Sequence, residues 1–383
     1  DENDQGEDKL EKGSKREGKT AWEIASFYTD AFKTDIKRVN IIDPTKFVAA
    51  TDHIKEQIDQ VKKLIANGYT YQTDDGIYYD TTKNDTYGDL INLKGQSLQA
   101  GARVDLGQKK NPHDFALWKF SPKDEQRQME WKTELGANDG ELRLGFPGWH
   151  IECTAMSMKY LGDHFDIHTG GIDLSRVHHI NEIAQAESIT NKKPWVNYWV
   201  HGEFLQVKDE KMSKSLGNLY TVQSIIDQNI DPLAYRFFAL QTHYRKQLNF
   251  TLEALTAAQE GLKRMRRLIG ELPAEGSNNQ FRNEFIEKLE QDLNTAEAIA
   301  ILWKEIKEKT ISKQDIDYAD NVLGLDLITA DQEIPDEVAQ LLQQRETARA
   351  NKEWQQSDDL RDQIATLGYV VRDNQQGQSI EKI

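Results

Sequence analysis

Apolar positions recur at helical spacing over residues 21–33 (AWEIASFYTDAFK), which predicts a first helix. A second is predicted over 52–66, where Ile54, Ile58, Val61 and Ile65 share a face and Gly68 follows as the C′ residue. Residues 69–73 and 77–80 alternate around Asp75-Gly76, a hairpin signal. Between 81 and 145, Gly, Asn, Pro and charge are scattered, so this stretch reads as an irregular insertion with one apolar core piece at 115–120. From 146 the texture changes. Short apolar runs such as 204–207 alternate with helical stretches such as 178–189, the pattern of a parallel sheet wrapped by helices. Asp231-Pro232 has the form of an N-cap followed by Pro at the first helical position. From there to about 330 the chain is helical by pattern. One stripe runs through Leu255, Leu262, Met265, Leu268 and Ile269, and another through Leu289, Leu293, Ile299, Ile301 and Leu302, which predicts a helical bundle. A last unit follows: a helix over 336–349, a turn near Asn351, a helix over 357–367, Gly368 and a strand over 369–372. No internal repeat is visible.

Charge and cysteine count narrow the class. Lys and Arg number 48 against 64 Asp and Glu, a net charge of −16, which argues against a charge-driven, histone-like nucleic-acid binder. Local RNA binding stays open, because counterion release depends on the charges that touch phosphate. The single cysteine, Cys153, excludes an intramolecular disulfide framework. No apolar run approaches the roughly 18 residues of a membrane span. Residues 1–20 are almost wholly polar and read as a mobile segment or surface loop, with no signal peptide. A soluble cytoplasmic protein is expected, and a monomer, because no exposed apolar stripe stands out.

Three segments carry candidate chemistry. Lys211-Met212-Ser213-Lys214-Ser215, followed by Leu216-Gly217-Asn218, comes just after the run at 204–207. Two lysines three apart, interleaved with hydroxyls, suit a mobile loop that neutralises charge growing on a leaving pyrophosphate. His178 and Glu182 are four apart and share a helical face. With Cys153, 25 residues before His178, they offer a thiolate, an imidazole and a carboxylate, all zinc ligands. In isolation such a trio is more often ordinary packing than a metal site, and His150 and His179 are further candidates. Thr169-Gly170-Gly171-Ile172-Asp173 lies between the run at 165–168 and the helix from 178. Paired glycines let the backbone approach a ligand, and the acid beyond them can accept from ribose hydroxyls; a plain turn is the alternative.

Together, in this order, these segments resemble the cysteinyl-tRNA synthetases, a family of class I aminoacyl-tRNA synthetases. Ala102-Arg103-Val104, Asn111-Pro112 and Asp114-Phe115-Ala116-Leu117-Trp118-Lys119 are similar to the family's ARV and NP-x-DFALWK strings. Pro147-Gly148-Trp149-His150-Ile151-Glu152-Cys153 matches its PGWHIEC, and residues 170–174 and 178–185 resemble GG-x-DL and HHENEIAQ. KMSKSLGN is present in full. Asp231-Pro232 to Tyr244-Arg245, Asp292-Leu293-Asn294-Thr295 and the stretch from Arg361-Asp362 to Gly377 also fit.

The resemblance implies an α/β fold: a class I synthetase nucleotide-binding, Rossmann-like parallel sheet with an inserted connective region, then an α-helical bundle and a small C-terminal anticodon-binding unit. The implied divisions are 1–80 and 146–230 for the two catalytic parts, 81–145 for the insertion, 231–330 for the bundle and 331–383 for the last unit. It implies a cysteine–tRNA ligase, which makes cysteinyl-adenylate from cysteine and ATP with Mg2+, then transfers the cysteinyl group to tRNA(Cys). One Zn2+ per chain would ligate the substrate thiolate, with Cys153, His178 and Glu182 matching three of the family's ligands. A thiolate binds zinc far better than a hydroxyl does, so serine is rejected without editing. Trp149 would floor the amino-acid pocket. Gly170, Gly171 and Asp173 would face adenosine or amino acid, while Lys211, Ser213 and Lys214 would face the phosphates.

The departures are specific. No His-Ile-Gly-His string is present, and the family's first zinc cysteine belongs to that same stretch. On the resemblance, the chain is expected to begin after it and to be incomplete for catalysis. Arg176-Val177 stands where many members have Phe-Pro, and Ile180 where many have Glu. Lys263, Arg264, Arg266 and Arg267 form either a solvated basic face or a phosphate contact. Trp354 is either core or a stacking platform for an anticodon base. Two other functions compete: an ATP-dependent cysteine ligase acting on an amino sugar, and a non-catalytic zinc- or tRNA-binding paralogue.

Overall fold

A computed structural model describes residues 13–14, 16–91, 108–122, 127–137, 141–207, 210–211, 220–328, 335–374 and 377–382. It divides into two compact units, residues 1–325 and 326–383. Among the described residues no helix is long and apolar enough to cross a membrane.

The first unit opens with helix α1 (Ala21–Arg38), started by a Thr20/Glu23 capping box. Just before it, Ser14 is buried, accepting from Gln128 Nε2 at 2.9 Å and donating to the Lys19 carbonyl. Helix α2 (Ile54–Ala66) follows, and Gly68 beyond it takes a φ of +81°, as its C′ role requires. Strands β1 (Thr70–Gln72) and β2 (Gly76–Tyr79) form the expected hairpin.

The described part of the expected irregular insertion contributes strands to a sheet. Strands β3 (Phe115–Phe120), β4 (Trp131–Thr133) and β5 (Arg143–Pro147) join the hairpin in the antiparallel order β1-β2-β3-β5-β4. β4 is only three residues long, too short to carry a period-2 signal in the sequence. Its core is built from Ile77, Tyr79, Leu117 and Trp118, packed on Val61 and Leu64 of α2 and on Ile151.

Helix α3 (Trp149–Leu161) leads to β6 (Phe165–Gly171), and helix α4 (His178–Thr190) crosses to β7 (Val196–Gly202). β6 and β7 are parallel, with Gly170 opposite His201 and Gly171 opposite Gly202. Strand β8 (Leu205–Val207) pairs with the two-residue β9 (Glu210–Lys211). Helices α5 (Val222–Ile226) and α6 (Pro232–Leu240) then bring the chain back to β10 (Leu248–Phe250), parallel to β8. β10 interrupts what the pattern presents as continuous helix. Asp231 caps α6 as read, accepting from Leu233 N at 2.9 Å.

The bundle continues with α7 (Leu252–Gly270), α8 (Asn279–Glu290), α9 (Thr295–Glu308) and α10 (Lys313–Leu323). The α7 stripe of Leu255, Leu262, Met265 and Ile269 is buried as read. The second stripe is broken. Asp292 and Leu293 turn the chain with φ of +58° and +56°, Leu293 is exposed, and α8 buries Phe281 and Phe285 instead. Arg266 is not part of an open basic face, because it bonds Asp231 at 2.9 Å and the Leu325 carbonyl at 2.6 Å. The absence of an exposed apolar stripe is also corrected: α1 exposes Trp22, Phe27, Tyr28 and Phe32.

The second unit is a helical hairpin, α11 (Asp336–Ala350) and α12 (Trp354–Thr366), and a β hairpin, β11 (Tyr369–Asn374) and β12 (Gly377–Lys382). Val338, Ile364, Tyr369 and Val371 form its core. Arg345 is 1% exposed; its two terminal nitrogens make a forked pair to Asp373 at 2.9 and 3.1 Å and NH1 also donates to Gln378 at 2.7 Å, while its buried Nε has no partner among the described residues. Trp354, read as core or platform, is 59% exposed at the start of α12, so the core reading is overturned.

Candidate active site

The site is built where α3 and α4 pack side by side next to the carboxyl ends of β6 and β7. The chain reaches α3 from β5 through Gly148, whose N–H donates to the Leu117 carbonyl at 2.9 Å. A Cβ there would lie 1.9 Å from the Ala116 carbonyl oxygen, so only glycine lets α3 start this close to the sheet. This launches Trp149 at the first helical position and Cys153 one turn later. Trp149 is 62% exposed, and its ring centroid is 4.6 Å from that of His178.

Helix α4 presents His178 and Glu182 one turn apart. Their Nε2 and Oε1 are 3.1 Å apart, and the ligand atoms of Cys153, His178 and Glu182 all lie within 4.8 Å of one another. The sulfur, nitrogen and oxygen thus converge as the sequence spacing suggested. Glu182 is fully buried, and neither carboxylate oxygen makes an aligned hydrogen bond. Each oxygen has one imidazole nitrogen within 3.1 Å but off the line of a hydrogen bond, so the buried carboxylate is short of the partners that a bound cation would supply. Thiolate, imidazole and carboxylate are also zinc's usual donors. The residues present therefore fit a bound Zn2+.

The electrostatics follow from this crowding. Burial pushes the Glu182 carboxyl up, but the imidazoles of His168 and His178 outweigh it and hold the group at about 2. The Cys153 thiol is pushed up to about 12 by burial and by the charges of Glu182 and Glu152. A divalent cation reverses the sign of that second effect and favours the thiolate.

Histidines surround the trio. His150, a candidate ligand from sequence, is placed one layer back: its Nδ1 lies 2.9 Å from Nδ1 of His178. It is held near 3 by burial and by His178, hence neutral, and the contact sets which His178 nitrogen faces Glu182. His179 pairs with His201 at 2.8 Å and groups with His168 and Glu182. His168 Nε2 is 3.0 Å from Glu182 Oε2. His168 and His201 were not singled out in the sequence. Their signal was present, since each sits near the carboxyl end of an apolar run that becomes a parallel strand.

At Gly170 the close approach is made by the chain itself. A Cβ would lie 2.7 Å from His179 Cε1, so the glycine makes room for that ring. Asp173 is exposed and its carboxylate folds back over Gly171, where a Cβ would meet Oδ1 at 2.4 Å. Ser213 and Lys214 lie outside the described residues, and of Lys211 only the backbone, in β9, is described.

Comparison with known proteins identifies the family. Residues 4–260 match the family described as tRNA synthetases class I (C) catalytic domain, and residues 331–380 match the cysteinyl-tRNA ligase anticodon binding domain. The chain is 46% identical to cysteine–tRNA ligase 1 of Burkholderia lata, covering 98% of this chain and 80% of that one. It is 39% identical to the cysteine–tRNA ligase of Treponema denticola, covering 97% of this chain and 83% of that one. Its fold is similar to that of Mycobacterium tuberculosis methionyl-tRNA synthetase in complex with methionyl-adenylate, with a TM-score of 0.52 at 13% identity, covering 78% of this chain and 72% of that one. The chain belongs to the cysteine–tRNA ligases, the class I synthetase family that joins cysteine to tRNA.

Proposed function

We propose that this chain activates cysteine with ATP and Mg2+, passes the cysteinyl group to tRNA(Cys), and selects its amino acid through Zn2+ held by Cys153, His178 and Glu182. The observation that carries the metal assignment is the convergence of those three ligand atoms within 4.8 Å around a buried carboxylate with no aligned hydrogen bond. When bound, the zinc supplies a soft Lewis acid that takes a thiolate in preference to a hydroxyl. The chain's own residues do the rest. Trp149 closes the pocket beside His178 as an apolar wall. His150 and His168 hold His178 and Glu182 in their ligating orientation. Gly170, Gly171 and Asp173 receive adenosine or the amino acid at the strand ends. Lys211, Ser213 and Lys214 stabilise the phosphates as pyrophosphate leaves. In the second unit, Trp354 offers an exposed ring for an anticodon base. The chain works in the cytoplasm.

Cysteine-dependent ATP–pyrophosphate exchange tests this reading, with and without a zinc chelator and with serine as competitor. Exchange that needs cysteine, ignores serine and falls on chelation is expected. Exchange that is indifferent to chelation removes the metal from the reading, and no exchange removes the activity.

A further inference from the structure

Two strings that the nucleotide and metal chemistry leave unused, Tyr244-Arg245 and Asp292-Leu293, meet in space. Asp292 Oδ1 accepts from the Tyr244 hydroxyl at 2.6 Å and from Arg245 NH2 at 3.2 Å, while Oδ2 accepts from Arg245 Nε at 2.5 Å. This is a forked pair that fixes the plane of the guanidinium. Arg245 is nevertheless exposed, and among the described residues its NH1 has no partner. The corner that delivers Asp292 is strained. Asp292 and Leu293 both take left-handed φ, a conformation that aspartate tolerates and leucine rarely adopts. Such backbone persists where surrounding contacts over-determine it, and it gathers at functional positions. Those contacts are visible: Asn294 caps α9, and Thr295 Oγ1 donates to the Leu240 carbonyl at 2.8 Å.

The pair stands at the mouth of the site. The Glu203 N–H, just beyond the end of β7, donates to the Tyr244 carbonyl at 2.8 Å. Arg245 is also close enough to His201 for its charge to lower that imidazole's basicity, after burial and His168. Beside it lie the exposed Lys246 and the stacked rings of His243 and Tyr244, 4.9 Å apart at 22°. Oriented cation and stacked rings together are the chemistry that receives single-stranded nucleic acid. On a chain of net charge −16, a polyanion needs such a local foothold.

We propose that Arg245, aimed by Asp292, is a subsite for one backbone phosphate of the RNA strand entering at the ends of β6 and β7. Asp292 is a positioning residue. The inference rests on the ligase reading above and adds to it where the acceptor end is gripped.

The experiment measures binding of a tRNA(Cys) transcript by fluorescence anisotropy over a salt series. A second transcript lacks the four 3′-terminal nucleotides. Arg245→Gln is expected to weaken the full transcript roughly tenfold, as loss of a charge-assisted hydrogen bond should. It should also flatten the slope of log K against log salt by about 0.7, one single-strand phosphate. Arg245→Lys recovers part of the affinity. Asp292→Asn, which tolerates the left-handed backbone, gives an intermediate loss. On the trimmed transcript the penalties disappear. In catalysis, the rise in KM for tRNA exceeds any effect on pyrophosphate exchange by tenfold or more. Unchanged affinity and slope in Arg245→Gln overturn the subsite, as does an equal penalty on the trimmed transcript. A tenfold rise in KM for ATP instead gives the phosphate to the nucleotide and also overturns it. Failure of the ligase reading is distinct, because the unsubstituted chain then shows no cysteine-dependent exchange at all.

Discussion

Glu182 concentrates the chemistry of the site in one side chain. It is wholly buried, its oxygens lack aligned hydrogen bonds, and His178 and His168 stand one on each oxygen. Replacing His168 with Gln leaves the ligand trio intact but removes the group that orients Glu182. Zinc affinity is then expected to fall about 10- to 100-fold, read by competition with a chromophoric chelator. An affinity equal to that of the unsubstituted chain removes the orienting role. The same crowding sets a pH dependence in the metal-free protein. His150 and His179 have folded values lowered to about 3 and about 4 from an ordinary 6.5, by burial first. Below 6.5 the unfolded chain takes up protons that the folded chain refuses, so stability falls as pH drops from about 6.5 towards 3. Glu182, lowered from 4.5 to about 2, adds to the loss between those values as its own contribution fades. Thermal unfolding from pH 7 to pH 4 should therefore show a falling Tm, with a shallower fall in His150→Gln.

At the scale of elements, the site depends on how close α3 comes to the antiparallel sheet. Gly148 is the hinge of that approach, with the Ala116 carbonyl where a Cβ would go. Gly148→Ala is expected to destabilise the first unit by about 3 kcal/mol through overpacking, read by urea unfolding. A cost below about 0.5 kcal/mol, the range of a neutral surface change, means the backbone yields freely there. Elements also show where reading the chain succeeds. The helices α2, α4 and α7 and the hairpin β1–β2 were legible, because each is local and carries its own period or turn signal. Strands β4 and β10 were not. Three residues are too few for a period, and each exists only because another strand, for β10 one about forty residues away, supplies its hydrogen bonds.

At the scale of the molecule, the two units have separate cores and separate tasks in the proposed reaction. In the second unit, Trp354 keeps an exposed ring at the start of α12 although nothing about its local sequence distinguishes it from a core position. If it stacks on a base, Trp354→Ala costs about tenfold in affinity for tRNA(Cys), a loss in filter binding that exceeds any change in pyrophosphate exchange. Equal binding by the variant returns the ring to a surface role.

The sequence by itself determined the family and the chemical inventory. PGWHIEC, the HH pair with Glu182 and KMSKSLGN are contiguous strings, and a contiguous string survives whatever the rest of the chain does. It also determined that His178 and Glu182 share a face, because helical spacing is local. Only the tertiary structure decided which of several histidines surround Glu182, since His168, His179 and His201 are brought together by the pairing of β6 with β7 and the packing of α4. It alone decided that Gly170 serves the His179 ring, that Arg266 is tied to Asp231, and that Asp292 holds Arg245 across 47 residues of chain. The physical reason is the same each time. Such contacts are set by the closing of long loops around a shared core, and no window of sequence contains both partners.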